Sequence, residues 1–165
     1  MAAVHVLTHG LIYALVVNLY LFVMMITLNP RIWGYQDYPE AVKRKVPAQT
    51  KKERTIAAVS SVPWIIFVLA FPVYSTVLLE SKLGGEIPLL LAFVNVWVQM
   101  ILAWAVDMVA LDWLIIAKIT PKFVIIEGSE AADYKDFSHH FRGHFRAVLI
   151  LIPLCLVIAA LVTYL

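Results

Sequence analysis

Residues 86–118 read EIPLLLAFVNVWVQMILAWAVDMVALDWLIIAK, and this stretch decides the fold. It is apolar along nearly its whole length, and a helix needs about 20 such residues to cross roughly 30 Å of hydrocarbon. It also carries Asp107 and Asp112, whereas no other long apolar stretch of the chain contains an acid. Acids at membrane depth usually face a bundle interior, a wet cavity or a partner, so both are candidates for a functional site.

Three more apolar stretches indicate that the whole chain belongs in a membrane. Of the 165 residues, 62% are hydrophobic and 15% are charged, whereas a soluble domain is about half apolar and a quarter charged. Backbone polar groups in lipid must bond within their own segment, which favours helices. The sequence therefore predicts an all-α, polytopic integral membrane protein, a four-transmembrane-helix bundle in a single domain over residues 1–165. We expect its spans at about residues 4–28, 55–79, 87–117 and 147–165.

The distribution of basic residues predicts an orientation. Twelve of the 13 lysines and arginines lie in two connecting segments, at about residues 30–54 and 118–146, and only Lys82 lies on the other side. The positive-inside rule makes the basic side cytosolic, which places both termini outside. Proline and capping-box signals, such as Thr50 to Glu53, predict that the two cytosolic loops are structured. An N-out bundle that lacks the basic start of a signal peptide suits a prokaryotic plasma membrane.

The same basic loops suggest the partners. Lysines and arginines at a bilayer surface attract anionic lipid headgroups, and this explanation leaves no reason to expect nucleic acid. Polar groups inside the membrane can also meet a partner. We therefore expect the lipid bilayer as the main partner, with a homo-oligomer or a partner membrane subunit as further contacts.

Depth along the third span separates its two acids. With the midpoint near Leu102, Asp107 lies about 7 Å and Asp112 about 15 Å from the midplane, both towards the cytosol. Five residues correspond to roughly 140° around an α-helix, so the two carboxylates are not expected to share a face. Asn18 of the first span has a similar depth to Asp107, which predicts a hydrogen bond between them. Asp112 is shallow enough to meet Arg146 at the start of the fourth span.

Further polar side chains extend this layer. Ser60 or Ser61 of the second span could complete it, and Gln99 is another polar residue of the third span. The predicted intramembrane polar site therefore consists of Asp107, Asn18, Asp112, Arg146, Ser60, Ser61 and Gln99. One interpretation is an interhelical clamp that holds the bundle together. The other is proton or cation handling, because burial moves the pKa of a carboxyl towards neutrality.

Residues 136–146, DFSHHFRGHFR, contain a second pattern. Asp136, His140 and His144 recur at a spacing of four, which places them on one face of a helix. An aspartate and two imidazoles are ligands suited to a divalent metal such as Zn²⁺. The alternative is an amphipathic helix at the interface with its polar residues towards water. Haem is not expected, because the histidines lie near opposite membrane ends and none lies in the middle of a span.

Three functions remain open from the sequence. The first is a small membrane transport or proton/cation-coupled component that uses the site around Asp107 and Asn18. The second is a cytosol-facing membrane enzyme acting on a lipid or isoprenoid, with a metal at Asp136, His140 and His144. The third is an accessory subunit of a membrane complex. No motif identifies a reaction, a phosphate-binding loop or a nucleophile elbow.

Overall fold

The computed structural model describes residues 1–164, and these residues form helices and loops without β-strands. The predicted four-helix membrane fold is confirmed, since four helices are long and apolar enough to cross a bilayer. The long helices are α1 (Ala2–Thr27), α4 (Lys51–Lys82), α5 (Leu89–Val106) with its π-helical continuation (Asp107–Ile119), and α6 (Phe137–Tyr164). The predicted end of the last span at residue 165 lies outside the described residues.

Short helices occupy the two connecting segments. These are α2 (Pro30–Trp33), α3 (Glu40–Lys45) and a 3₁₀-helix (Ala131–Tyr134). The segments pack on each other through Tyr38 and Tyr134, whose rings meet edge to face at 4.8 Å, and the Tyr38 hydroxyl donates to the Val124 carbonyl at 3.0 Å. We call this part of the molecule the basic end. The opposite end, which carries the α4–α5 turn, the start of α1 and the end of α6, is the hairpin end.

The start of α4 follows its sequence signal. The Thr50 hydroxyl accepts from the Glu53 amide at 3.2 Å, and the Glu53 carboxylate accepts from the Thr50 amide at 2.7 Å, which is a capping box. Arg31 donates to the same carboxylate at 2.6 Å and also binds the Pro47 and Ala48 carbonyls. This contact fixes the first connecting segment against α4.

The core of the bundle lies around α5. This helix packs most extensively against α1 and α6, whereas α4 packs more lightly on the other three. Tyr13, Val96, Met100 and Cys155 are among the buried side chains at the centre. The single thiol is fully buried among apolar neighbours, as expected for a packing residue.

Two prolines interrupt the hydrogen-bond ladder of α4, and α1 compensates for one of them and binds a carbonyl close to the other. Pro72 lacks an N–H, which leaves the Val68 carbonyl without its helical donor. The Tyr13 hydroxyl donates to that carbonyl at 3.2 Å. Near the other proline, Pro63, the Tyr20 hydroxyl donates to the Ser60 carbonyl at 2.6 Å. Freed carbonyls in a membrane helix need such partners, because no water reaches them from the lipid.

The third span changes its helical form half-way. Its first part is an α-helix to Val106, and residues Asp107–Ile119 form a π-helix. The helix ends at Thr120, which adopts a left-handed conformation at φ +50° and is followed by Pro121. The Thr120 hydroxyl returns to the Ile116 carbonyl at 2.8 Å and so binds one of the free groups at this helix end.

Candidate functional site

The π-helix brings the two acids of the third span onto one side. In a π-helix the amide of residue i+5 bonds to the carbonyl of residue i, so residues five apart lie close together. Asp107 and Asp112 are five apart, and both approach the same imidazole nitrogen, Nε2 of His144, at 3.9 and 2.7 Å. The prediction that they face different directions was wrong, because it assumed α-helical geometry. π-Helical turns are uncommon and occur frequently at functional sites.

Asp112 is the centre of a hydrogen-bonded group. Its Oδ2 atom accepts from His144 Nε2 at 2.7 Å and lies 3.1 Å from His140 Nδ1. The two histidines are four residues apart on α6 and therefore present one face to the π-helix. Arg146, the partner predicted from depth, has an exposed side chain and makes no ion pair with Asp112 among residues 1–164. It follows His144 by two residues, about 200° around an α-helix, and so lies on the opposite face of α6.

Asn18 holds the junction between the two helical forms. Its Nδ2 atom donates to the Ala14 carbonyl at 2.8 Å and to the Ala103 carbonyl at 3.0 Å. The predicted hydrogen bond from Asn18 to Asp107 does not form, because the side chain meets the third span one turn nearer the hairpin end. Ala103 lies just before the π-helix, where the hydrogen-bond ladder changes register. Asn18 therefore stabilises the point at which the α-helix changes to a π-helix, and this change positions both acids.

A cavity of about 750 Å³ opens beside this group at the basic end. Three acids and three histidines contribute to its lining, together with a wall of apolar side chains from α1, α4 and the first connecting segment. The titratable lining residues are Asp37, Asp107, Asp112, His139, His140 and His144. Its volume is in the range of about 300–1,000 Å³ that is usual for small-molecule sites. Asp107 and Asp112 keep 30% and 18% of their side-chain surface accessible.

Asp37 is a site residue that the sequence analysis missed. It lies in the loop after α2, so no apolar stretch draws attention to it, and its side chain is accessible from the cavity. The surrounding protein removes water from this carboxyl and so raises its pKa, and the nearby negative charge of Asp112 raises the pKa further. Its backbone carbonyl accepts from His139 Nε2 at 3.0 Å, which ties the loop to the start of α6. The aromatic cluster of residues 33–38 was the available signal, since it folds this loop back onto the bundle.

Several polar atoms at the cavity have no partner among the described residues. His140 is 4% exposed and its Nδ1 faces Asp112, while its Nε2 has no hydrogen bond. On the apolar side, the indole N–H of Trp64 also lacks an acceptor. Buried polar groups in native proteins are normally paired, so unpaired ones next to a cavity call for an explanation.

The remaining predicted site residues lie apart from the acids. The Ser61 hydroxyl lines the cavity but donates to its own helix, at the Ala58 carbonyl. Ser60 contributes only its carbonyl, to Tyr20. Gln99 lies towards the hairpin end, where its amide donates to the Ser75 hydroxyl at 3.2 Å. Of the seven predicted residues, the structure thus brings Asp107 and Asp112 together at His144, and Asn18 binds the backbone of the same span one turn away.

The predicted metal ligands are only partly brought together. His140 and His144 both face Asp112, but Asp136 caps the start of α6, where it accepts from the Ser138 hydroxyl at 2.7 Å and the His139 amide at 3.0 Å. No group of three or more histidine, cysteine or acidic side chains in residues 1–164 has the arrangement of a metal site. The three residues therefore do not form the predicted ligand set in this structure.

Comparisons with known proteins add no functional assignment. No protein-family model matches the chain, and the searches of curated proteins and of solved structures find no match either. The functional argument therefore depends on the geometry of the cavity alone.

Proposed function

We propose that this protein is a small proton-coupled membrane transporter. Its proton site consists of Asp107, Asp112, His140 and His144, which we call the acid–histidine cluster. The observation that supports this most directly is the position of His144 Nε2 between the two carboxylates, 2.7 Å from one and 3.9 Å from the other. Carboxylates and imidazoles in such close contact titrate together. The cluster can therefore take up or release a proton at a modest cost in free energy, because a neighbouring group compensates for the change in charge.

The setting of the cluster supports a coupled role. Ionisable groups within membrane helices are costly and mark proton or ion pathways. Here they line a cavity that is open enough to admit water or a solute, and both carboxylates remain partly accessible. A purely structural clamp would be closed to solvent, whereas the Asp107 side chain keeps 30% of its surface accessible and lies 3.9 Å from His144 Nε2, too far for a hydrogen bond.

Reconstituted vesicles test the proposal. Proteoliposomes are loaded with a pH-sensitive dye, and a potassium gradient with valinomycin drives protons inwards. We expect acidification above that of protein-free vesicles for the wild type and its loss in Asp107→Asn. Glu86→Gln, an exposed acid in the hairpin-end turn, is the matched control and should keep the wild-type rate. Equal rates for wild type and Asp107→Asn would refute the proposal.

A second candidate is a membrane enzyme that uses His140 as a general base. A carboxylate at Nδ1 orients an imidazole and leaves Nε2 free to accept a proton. Asp112 and His140 have this arrangement at 3.1 Å. The enzyme hypothesis requires His140→Gln to abolish turnover of a substrate without changing potential-driven proton uptake, and the opposite result favours transport.

Orientation and surroundings belong to the same proposal. We place the basic end in the cytosol of a prokaryotic plasma membrane, with its exposed lysines and arginines at anionic headgroups. The chain has one cysteine, and it is buried. In a Cys155→Ser background, Lys122→Cys should react with a membrane-impermeant thiol reagent only after the cell membrane is opened, and Ser81→Cys should react in intact cells.

A further inference from the structure

We infer that the cavity binds an amphipathic amine in its protonated form, as the transported solute. This inference depends on the proposed transport function and names its substrate class. It is carried by three features of the same cavity: unpaired hydrogen-bond acceptors at one wall, the absence of lysine and arginine from the lining, and an apolar opposite wall.

The unpaired acceptors come first. The carboxylates of Asp37 and Asp107 line the cavity, and neither accepts a hydrogen bond from residues 1–164 within normal hydrogen-bond distance. A ligand that donates several N–H bonds from within the cavity would satisfy both carboxylates, which the protein leaves without a donor.

The charges around the cavity favour a cation. The lining contains three acids and no lysine or arginine, and two of its histidines are occupied with Asp112. Lys43 is close enough to Asp37 to lower the pKa of that carboxyl, but its ammonium donates to the Gln36 carbonyl at 2.8 Å and lies 3.6 Å from Glu40. An ammonium group beside Asp37 and Asp107 would therefore compensate charges that the protein neutralises only in part, since Asp107 has no closer basic contact than the 3.9 Å approach of His144.

The opposite wall is suited to an apolar body. It is formed by side chains from α1 and α4, namely Leu21, Met24, Met25, Ala57 and Trp64, and by Trp33 of α2. Methionines adapt to ligands of different shape, and aromatic rings near a cation add a favourable electrostatic contact. A solute that has an ammonium at one end and an alkyl or aryl body matches both walls.

Three ligands of equal chain length separate charge, N–H donation and apolar contact. Octylamine is protonated at neutral pH and donates N–H bonds, octyltrimethylammonium has the charge without N–H, and octan-1-ol has neither charge nor N–H. Binding is measured by calorimetry on wild-type protein in lipid nanodiscs, with the heat of empty nanodiscs subtracted. We expect octylamine to bind about tenfold more tightly than octyltrimethylammonium, which corresponds to one charge-assisted hydrogen bond. Octan-1-ol should bind most weakly.

Variants assign the binding to the site. Asp107→Asn and Asp37→Asn should each reduce the affinity for octylamine by about tenfold, whereas Glu86→Gln should leave it unchanged. Affinities for octylamine and octyltrimethylammonium that agree within about twofold would overturn the inference. So would octylamine heats equal to those of empty nanodiscs. These two results come from wild-type protein, so they hold even if a variant does not fold.

The two proposals can fail separately. Loss of proton uptake in Asp107→Asn together with no selective amine binding would overturn the substrate class and leave proton coupling intact. Selective amine binding with equal proton uptake in wild type and Asp107→Asn would refute the transport proposal and support the cavity as an amine-binding site.

Discussion

The third span carries two polar groups that differ in nearly every physical respect. Towards the hairpin end, Asn95 and Gln99 are fully buried and bind the hydroxyls of Ser75 and Thr76, which we call the amide cluster. Towards the basic end, the acid–histidine cluster is ionisable and borders a cavity. The amide cluster lies on α-helix with a spacing of four, whereas the acids lie on π-helix with a spacing of five.

This contrast shows what distinguishes a functional polar group from a structural one in this membrane bundle. Both groups lie in the same helix among apolar side chains. The amide cluster connects α4 to α5 with neutral hydrogen bonds and has no access to solvent. Such buried polar contacts hold transmembrane helices together. The other group combines charge with access from a cavity. Membrane depth alone does not separate the two.

Removal of Asp112 should have the largest effect. Asp112→Ala takes away the carboxylate that both histidines face, and loss of one member of a buried charged group typically costs about 3 kcal/mol or more. We expect that decrease in the free energy of unfolding in detergent, together with background rates of proton uptake. Asp112→Asn keeps an acceptor oxygen and should lose less stability. Wild-type stability of Asp112→Ala would show that the cluster contributes nothing to the fold.

Asn18 should prove structural, in contrast to the acids that it helps to position. Asn18→Leu removes the side-chain donor to the Ala103 carbonyl, which keeps the Asp107 amide as its backbone donor, and the net loss of one hydrogen bond costs about 1 kcal/mol. We therefore expect a lower free energy of unfolding with proton uptake retained, although at a reduced rate if the π-helix shifts. Asn18→Gln serves as the control that keeps the amide. Complete loss of uptake with unchanged stability would instead assign Asn18 to the proton pathway.

A replacement in the amide cluster should affect function least. Gln99→Met has nearly the same shape, and it removes an amide whose Oε1 atom has no donor in the described structure. The loss of its hydrogen bonds and the relief of the unpaired oxygen oppose each other, so stability should change by about 1 kcal/mol or less. Proton uptake should be unchanged. A loss of uptake comparable to that of Asp107→Asn would remove the distinction between the two clusters.

The smallest effect should be a pH-dependent one at Asp37. Its pKa is raised in the folded protein, so the ionised carboxyl is disfavoured there and folding loses stability as the pH rises past its unfolded value of about 4. Asp37→Asn removes that loss. We expect the variant to melt higher than wild type at neutral pH, by less than about 3 °C, and at the same temperature in acid. If the two proteins differ in melting temperature by the same amount at both pH values, the difference does not arise from ionisation of Asp37.

Much of the architecture could be predicted from the sequence because it follows from composition and local signals. Four apolar stretches defined the spans, and Thr50 and Glu53 marked the start of α4. These features depend on residues close together in the chain. The orientation of the bundle stays a prediction, because a bilayer is needed to define it.

The candidate site was predicted only in part, for one physical reason. Angles and depths were derived for a regular α-helix, and the change to π-helix at Asp107 turned Asp112 towards α6, where histidines instead of Arg146 are its partners. Asn18 meets the third span one turn nearer the hairpin end than its estimated depth implied, so it binds the Ala103 carbonyl. Asp37 was missed because loops fold back through long-range contacts, such as that of Tyr38 with Val124, which local sequence patterns do not report.

The tyrosines that bind the proline-interrupted helix also limit how this molecule can move. Tyr13 and Tyr20 connect α1 to α4 at two heights, and separation of the two helices would leave the Val68 carbonyl bare in hydrocarbon. The two hydroxyls therefore hold α4, which otherwise packs lightly, against α1, and α1 in turn packs extensively against α5. The acid–histidine cluster lies outside these contacts, between the π-helix and α6, so a displacement of α6 would separate its histidines from its acids without breaking either tyrosine contact.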